Sequence, residues 1–392
     1  MIEKDSGMKV LFISTGDAKY GAPKSMLALM ELLKERHKVE VVLLTTKHNE
    51  LNEYCVAHSI ENYSCYYSDM MAGSSYESKA KNLLKHIVKY GLYVKGCLSH
   101  NKVNKLGIDF AQIDLIHSNT NRVDMGAYIS EKYNIPHIWH LREMDEGTKG
   151  MVYYKRNWTS YMNNHAAEYI AITKAVKGSW AKHGLAEDKI KVIYNGIDAA
   201  KIEERQIRND GKIKIVAVGR IEKSKGQEDL IRAVTMLPVE LQGKIQIDFM
   251  GGSYSEYERK LKRIQEKKKC MAQINYLGYC KNVVQQLKNY DIGITCSTAE
   301  AFGRTTVEYM MAGLLVVASD TGANPELIED EKSGLLYRQG DAEQLSKVLQ
   351  KICENNIDVE KLRKQGKERA EELFTAEKNA DRIYKEYISL LK

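Results

Sequence analysis

Short apolar runs rich in Val and Ile recur along the chain, each followed by a longer stretch with apolar residues at helical spacing. In the first half the runs are Val10–Ser14, Val39–Thr45, Leu115–His117, His137–His140, Tyr169–Thr173 and Lys191–Tyr194. After residue 212 the rhythm restarts with Ile213–Val218, Ile245–Met250, Ile274–Tyr276, Ile292–Thr295 and Leu315–Ser319. Runs that are apolar at consecutive positions suit parallel strands covered by helices on both faces, which predicts the α/β class. The restart predicts two Rossmann-like, doubly wound domains joined by the turn-prone, charged stretch NGIDAAKIEERQIRNDGK. The first is expected over residues 1–198 and the second over 199–373. The final segment, 374–392, reads as an amphipathic helix with Ile383, Tyr384, Tyr387, Ile388 and Leu391 at helical spacing, expected to pack back onto the first domain. Two such domains facing each other would hold a ligand in a cleft at the carboxyl ends of their strands.

The richest candidate chemistry follows the run Ile292–Thr295. Glu300-Ala-Phe302-Gly303-Arg304-Thr305-Thr-Val-Glu308 reads as a glycine loop feeding a helix that starts near Thr305. A helix start offers unpaired backbone N–H groups and the positive end of a dipole, which suits a diphosphate. Carboxylates such as Glu300 and Glu308 are natural acceptors for a sugar diol. Thr305-Thr-Val-Glu308 also fits a capping box, so Glu308 has two roles open to it, helix cap and ribose ligand. A second candidate, Gly219-Arg220-Ile-Glu-Lys-Ser-Lys225-Gly226, follows the run Ile213–Val218 and offers two cations that could clamp a pyrophosphate. In the first half, Gly21 and Ala22 lie in a glycine-containing stretch before a helix expected from Lys24, and His140 and Arg142 stand at a strand end. No P-loop or G-x-G-x-x-G fingerprint follows any strand, which counts against a nicotinamide enzyme. No H-E-x-x-H or D-x-D occurs, so neither a metal nor another cofactor is expected.

Composition narrows the setting. At 392 residues, 43% hydrophobic and 28% charged, the chain resembles an ordinary globular protein long enough for two cores. A net charge of +7 suits phosphate-bearing ligands or an anionic membrane and does not call for nucleic acid. Seven scattered cysteines without C-x-x-C spacing read as free thiols in a reducing compartment. The start MIEKDSGMKVLFIST does not resemble a signal peptide, and no run approaches the ~18 apolar residues of a spanning helix. A cytoplasmic protein with at most peripheral membrane contact is expected. The segment Lys79 to Lys105 is the candidate contact: from Ser78 to Ile108 there are seven lysines and two histidines and not one acid. There Lys81, Lys85 and Lys89 share a helix face, while Leu83, Leu84, Ile87 and Val88 lie on other sides, either packing on the core or leaving a basic amphipathic helix for anionic lipid.

Taken together, these residues resemble the family 4 glycosyltransferases, retaining enzymes of the GT-B fold. The E-x7-E signature appears as Glu300…Glu308 and the second signature as Arg220…Lys225; Gly21-Ala22 and Asn195-Gly-Ile-Asp198 match further segments. The resemblance covers nearly the whole chain and is strongest from about 190 to 345. It implies that Arg220 and Lys225 bind the donor diphosphate, Glu308 the ribose, and Glu300 the transferred sugar. It implies that backbone amides from Phe302 to Thr305 cradle the donor and that His140 lies near the reaction centre. The partners it implies are a nucleotide sugar, UDP-linked, and a saccharide or lipid-linked acceptor in surface polysaccharide synthesis. Tyr20 and Pro23 around Gly21-Ala22, and Arg304 where the family is often aliphatic, depart from its pattern. A nucleotide-sugar epimerase of the same fold and a non-catalytic partner subunit are the rival assignments. The presence of all four charged positions argues against the latter.

Overall fold

The computed structural model describes residues 7–16, 21–73, 78–144, 151–207, 211–253 and 255–392. The chain divides into two compact units, one formed by Met1–Gly196 with Ala376–Lys392 and the other by Ile197–Thr375.

In the first unit the strands are β1 (Lys9–Ser14), β2 (Glu40–Thr45), β3 (Glu61–Ser64), β4 (Met71–Gly73), β5 (Leu115–Ser118), β6 (His137–Leu141), β7 (Met151–Tyr153), β8 (Glu168–Ala171) and β9 (Ile190–Val192). Seven of them form one parallel sheet in the order β3-β2-β1-β5-β6-β8-β9. Alternation along each strand splits the apolar residues between two cores. Val10, Phe12, Val41, Leu43 and Leu115 point to one face, where they meet Met26, Met30 and Leu33 of the helix Gly21–His37 and Ala380, Ile383 and Tyr387 of the helix Ala376–Leu391. Leu11, Ile13, Val42, Leu44 and Ile116 point to the other, against Met125 and Ile129 of the helix Met125–Tyr133. The end of the chain thus completes the core of its first unit.

The second unit holds β10 (Ile213–Val218), β11 (Ile245–Met250), β12 (Gln273–Gly278), β13 (Ile292–Thr295), β14 (Leu315–Ser319) and β15 (Leu335–Tyr337). They form a parallel sheet in the order β12-β11-β10-β13-β14-β15. Its core gathers Ile215, Ile247, Phe249, Ile292, Ile294 and Val317 with Leu230 and Val234 of the helix Gln227–Thr235 and Leu345 and Leu349 of the helix Ala342–Cys353.

The main strands fall where the apolar runs predict them, within two residues at either end. Two of the first-half runs overreach at their C-termini. Thr173 caps the helix Lys174–Lys182 through its hydroxyl, and β9 stops at Val192. The structure adds β3, whose sequence ENYS is polar because it is an edge strand, and the antiparallel pair β4–β7, whose partners are far apart in sequence. Gly21 and Ala22 are the first two residues of a helix, three positions earlier than expected, since Pro23 fits a first turn that needs no N–H from it. Residues 17–20 of that stretch lie outside the described residues.

Candidate active site

In both sheets the strand order reverses beside the first strand, leaving a switch point between β10 and β13 in the second unit and between β1 and β5 in the first. Loops leaving neighbouring strands in opposite directions part there, and their ends are free to meet a ligand. In the second unit the predicted residues gather at this place. Lys225 follows β10 and Glu300 follows β13, and Lys225 Nζ lies 2.6 Å from Glu300 Oε1. Ser297 Oγ donates to the same oxygen at 2.6 Å.

The loops are tied to one another through the backbone. Thr298 N donates to Ser224 O at 2.9 Å, Ala323 N to Glu300 O at 2.8 Å, and the hydroxyls of Ser319 and Thr321 to Ser297 O at 2.7 and 2.8 Å. At Gly226 the backbone takes φ +63°, and a Cβ would stand 2.0 Å from Cys296 O. Only glycine lets the loop bearing Lys225 press against the end of β13. Arg220 is the most open of the set, with its side chain 65% exposed and its guanidinium 3.4 Å from Glu222.

The helix after the glycine loop spans Arg304–Met311. Its N-cap is Gly303 in the left-handed region, with no side-chain cap hydrogen bond, so the capping box read from Thr305 to Glu308 does not form. Glu308 sits inside the helix, its Oε1 3.5 Å from Arg304 Nη2 in an i,i+4 pair. Of the two roles open to Glu308, the cap is excluded. Phe302 is buried and meets Phe374 edge-on, so only its backbone faces the loop; Thr305 is half-buried in the first turn. The helix is anchored from below. Thr306 Oγ1 bonds Thr295 and Asn324, and Tyr309 crosses β13 where Gly293 leaves room for its ring and its hydroxyl oxygen accepts from the Val218 N–H at 2.7 Å. The carboxylate of Glu308 is therefore fixed relative to the strand that carries Arg220.

At this switch point a void of about 10 Å³ lies beneath Lys225 and Ser297. A larger cavity of about 720 Å³ opens elsewhere, between Asp330, Lys347, Lys351 and Leu362, and contains none of the predicted donor residues. Its position off the strand ends separates it from the chemistry described here.

In the first unit His140 is the last residue but one of β6 and is fully buried. Its Nδ1 lies 3.2 Å from Arg142 Nη2 and 3.0 Å from His117 Nε2, and His117 Nδ1 lies 2.5 Å from Tyr387 OH. Arg142 can only donate, so His140 Nδ1 must accept and its proton sits on Nε2. His117 must then donate from Nε2 and accept the Tyr387 hydroxyl at Nδ1. Burial, reinforced by the Arg142 charge, pushes both imidazoles well below their usual value and keeps them neutral. The chain of donors ends at His140 Nε2–H, a buried donor with no partner among the described residues. Arg142 is held by Asn119 and by Asn195 Oδ1 at 2.8 Å, the asparagine of the predicted Asn195–Asp198 segment. Sequence reasoning missed His117, Asn119 and Tyr387; a histidine inside the apolar strand Leu-Ile-His-Ser was the available signal. It also missed a Cys97, His100, Asp124 group whose donor atoms lie within 4.8 Å of one another, where the Lys155 ammonium already stands 3.4 Å from Asp124.

Comparison with known families bears on the same two halves. The model for "Glycosyl transferases group 1" matches residues 198–370, and that for "Glycosyltransferase Family 4" matches residues 20–201, so that together they span most of the chain. The chain belongs to the group 1 glycosyltransferases. An uncharacterized glycosyltransferase of Methanocaldococcus jannaschii is 29% identical to it over 238 residues, 56% of this chain and 57% of that one. A 41.2 kDa protein of the cps region of Klebsiella pneumoniae is 26% identical over 42% of this chain and 46% of its own length, so the chain spans about half the length of these relatives. The N-acetylgalactosamine-N,N'-diacetylbacillosaminyl-diphospho-undecaprenol 4-alpha-N-acetylgalactosaminyltransferase of Campylobacter jejuni is 24% identical over 89% of this chain and 90% of that one. Among solved structures, Anabaena HepE in complex with UDP superposes with a TM-score of 0.76 at 20% identity, covering 97% of this chain and 100% of that one. That likeness fixes the fold of this glycosyltransferase as GT-B.

Proposed function

We propose that this glycosyltransferase moves a sugar from a UDP-linked donor to a hydroxyl of a saccharide acceptor carried on a lipid, in the synthesis of a surface polysaccharide. The convergence of Lys225, Glu300 and the Glu308 helix at one switch point carries the reading. UDP in the Anabaena structure and the acceptor named for the Campylobacter relative support its two ends.

The chemistry follows from what these residues can do. Glu308, held inside its helix, accepts from the ribose hydroxyls. Arg220, Lys225 and the first-turn amides from Gly303 to Thr305 meet the charge of the departing diphosphate, with Arg304 as an added cation nearby and no metal required. Glu300, paired to Lys225, sits where a carboxylate can take the hydroxyls of the transferred sugar while the ammonium turns to the phosphate beside it. The bond from the anomeric carbon to the β-phosphate oxygen breaks and a bond to the acceptor oxygen forms on the same face. The acceptor's proton goes to the leaving phosphate, and the configuration is retained. Gly21 and Ala22, at the start of their helix, and His140, through its Nε2–H, serve the sugar and acceptor side. A lipid-linked acceptor places the work at the inner face of the cell membrane, with the basic segment Lys79–Lys105 toward it. Among the described residues no helix is long and apolar enough to cross a membrane.

The test joins binding and turnover. Glu308→Gln should lower UDP affinity by roughly tenfold or more, as loss of a charged hydrogen bond to a diol implies, while melting shifts by under ~2 °C. Turnover of the best of a panel of UDP sugars should persist in EDTA. Unchanged affinity in the variant, or activity abolished by EDTA and restored by a divalent ion, would overturn the assignment.

A further inference from the structure

The segment Lys79–Ser99 is a continuous helix held to the first unit by one face only. Tyr93, Gly96 and Ser99 are its buried residues, and Tyr93 OH donates to Asp124 at 2.9 Å. At Gly96 the helix comes so close to the chain at Ser68 that a Cβ would stand 3.0 Å from the Ser68 amide. Lys85 Nζ reaches Gly73 O and Lys95 lies over the Tyr66 ring.

The leucines do not pack on the core. Leu83 and Leu84 are each 63% exposed and Leu98 is 77% exposed, with Ile87, Val88, Tyr90 and Val94 also open to solvent. At about 100° per residue these seven side chains fall within an arc of roughly 160°, opposite the face that holds the helix down. From Leu83 to Leu98 the stripe is about 22 Å long. Lys79 lies at one margin, Lys81 and Lys85 at the other, and Lys95 near the edge. A soluble domain rarely carries a contiguous open stripe of this kind without a partner. An apolar face with a basic border and no acid from Ser78 to Ile108 matches an anionic bilayer, into whose headgroup region the apolar side sinks while the lysines meet the phosphates.

The geometry points to this helix as a membrane-inserting surface that binds anionic lipid chiefly through its apolar face, with the lysines as the border of the contact. The lysine face centred on Lys81, Lys85 and Lys89 is not the primary contact, because it turns toward the protein at Lys85. The inference takes its purpose from the proposed lipid-linked acceptor, but its geometry is independent of any donor or acceptor.

The experiment uses the full chain with vesicles of phosphatidylcholine alone or with a third phosphatidylglycerol. Wild type should co-sediment with the anionic vesicles at least tenfold more than with the neutral ones. A Leu83→Ser/Leu84→Ser/Ile87→Ser/Leu98→Ser variant keeps every charge and should lose that binding at least tenfold, while donor turnover in solution and the melting temperature stay unchanged. An Ile87→Trp variant should shift its emission to shorter wavelength on anionic vesicles. Equal binding by the serine variant would overturn insertion, since a purely electrostatic contact predicts that result. Equal sedimentation with both lipids, or concentration-dependent self-association of wild type that the serine variant abolishes without any vesicle binding, would overturn the anionic bilayer as the partner. Loss of donor turnover in wild type would instead count against the proposed reaction and leave the surface standing.

Discussion

Replacing Tyr387 by phenylalanine removes one oxygen and leaves the ring in place. In the folded protein that oxygen donates to His117 Nδ1, and both residues are fully buried. The ring volume is conserved, so no cavity forms, and the cost comes from an imidazole acceptor stranded in the core at about 1–3 kcal/mol. Spread over a unit of some two hundred residues, that corresponds to a fall in melting temperature of about 2–12 °C. The change should also reach His140, which lies two hydrogen bonds away. With nothing to hold its Nδ1 as an acceptor, His117 can carry its proton there and stop donating to His140, leaving that ring held by Arg142 alone. Donor turnover should fall roughly tenfold for each 1.4 kcal/mol of lost alignment, whereas UDP affinity, resting on residues of the second unit, should hold. Calorimetry gives the first quantity, steady-state kinetics the second, and nitrogen-15 spectra of labelled histidine report the tautomers directly. An unchanged melting temperature, or a wild-type spectrum with the proton of His117 on Nδ1, would refute the chain of donors from Tyr387 to His140.

Burial holds His117 and His140 neutral and pushes His137 down to about 3. In the unfolded chain each imidazole titrates near 6.5, so below that value the unfolded state gains protons that the folded state refuses and stability falls with pH. Stability from these three groups is full above about pH 6.5; His137 alone should lose about 2 kcal/mol of it between pH 7 and pH 5, before most carboxylates titrate, and His117 and His140 add to the fall in the same direction. Urea unfolding that is flat over this window would remove the argument. Gly226→Ala should lower both the melting temperature of the second unit and UDP affinity, because its Cβ would stand 2.0 Å from Cys296 O and push Lys225 off Glu300. Gly340→Ala, with φ +82° but open space around it, is the control for backbone strain alone and should leave affinity intact.

The fold class, the two-unit repeat and the places where strands end were all legible in the order of residues. These are set by local alternation of apolar runs with helical periods, and burial on both faces of a parallel sheet leaves little freedom in how such runs are used. That order also marked Arg220, Lys225, Glu300 and Glu308, because charged residues just past apolar runs stand out. Which of them meet was a matter for the tertiary structure. The Lys225–Glu300 pair joins loops 75 residues apart, and it forms because β10 and β13 are neighbours across a switch point that no local pattern announces. The role of Glu308 turned on where the helix begins: Gly303 takes the left-handed N-cap, so Thr305, which looked like a cap, lies two residues past it inside the helix. Tyr387 read only as part of an apolar helix face, yet its hydroxyl is the far end of the histidine chain, 270 residues from His117. The leucines of Lys79–Ser99 show the same limit from the other side. Their spacing fixes an amphipathic helix, but a period cannot say which face turns inward, and here Tyr93, Gly96 and Ser99 took the protein and left the leucines to solvent. Distant partners decide such matters because hydrogen bonds and burial depend on what the folded chain brings together, not on sequence spacing.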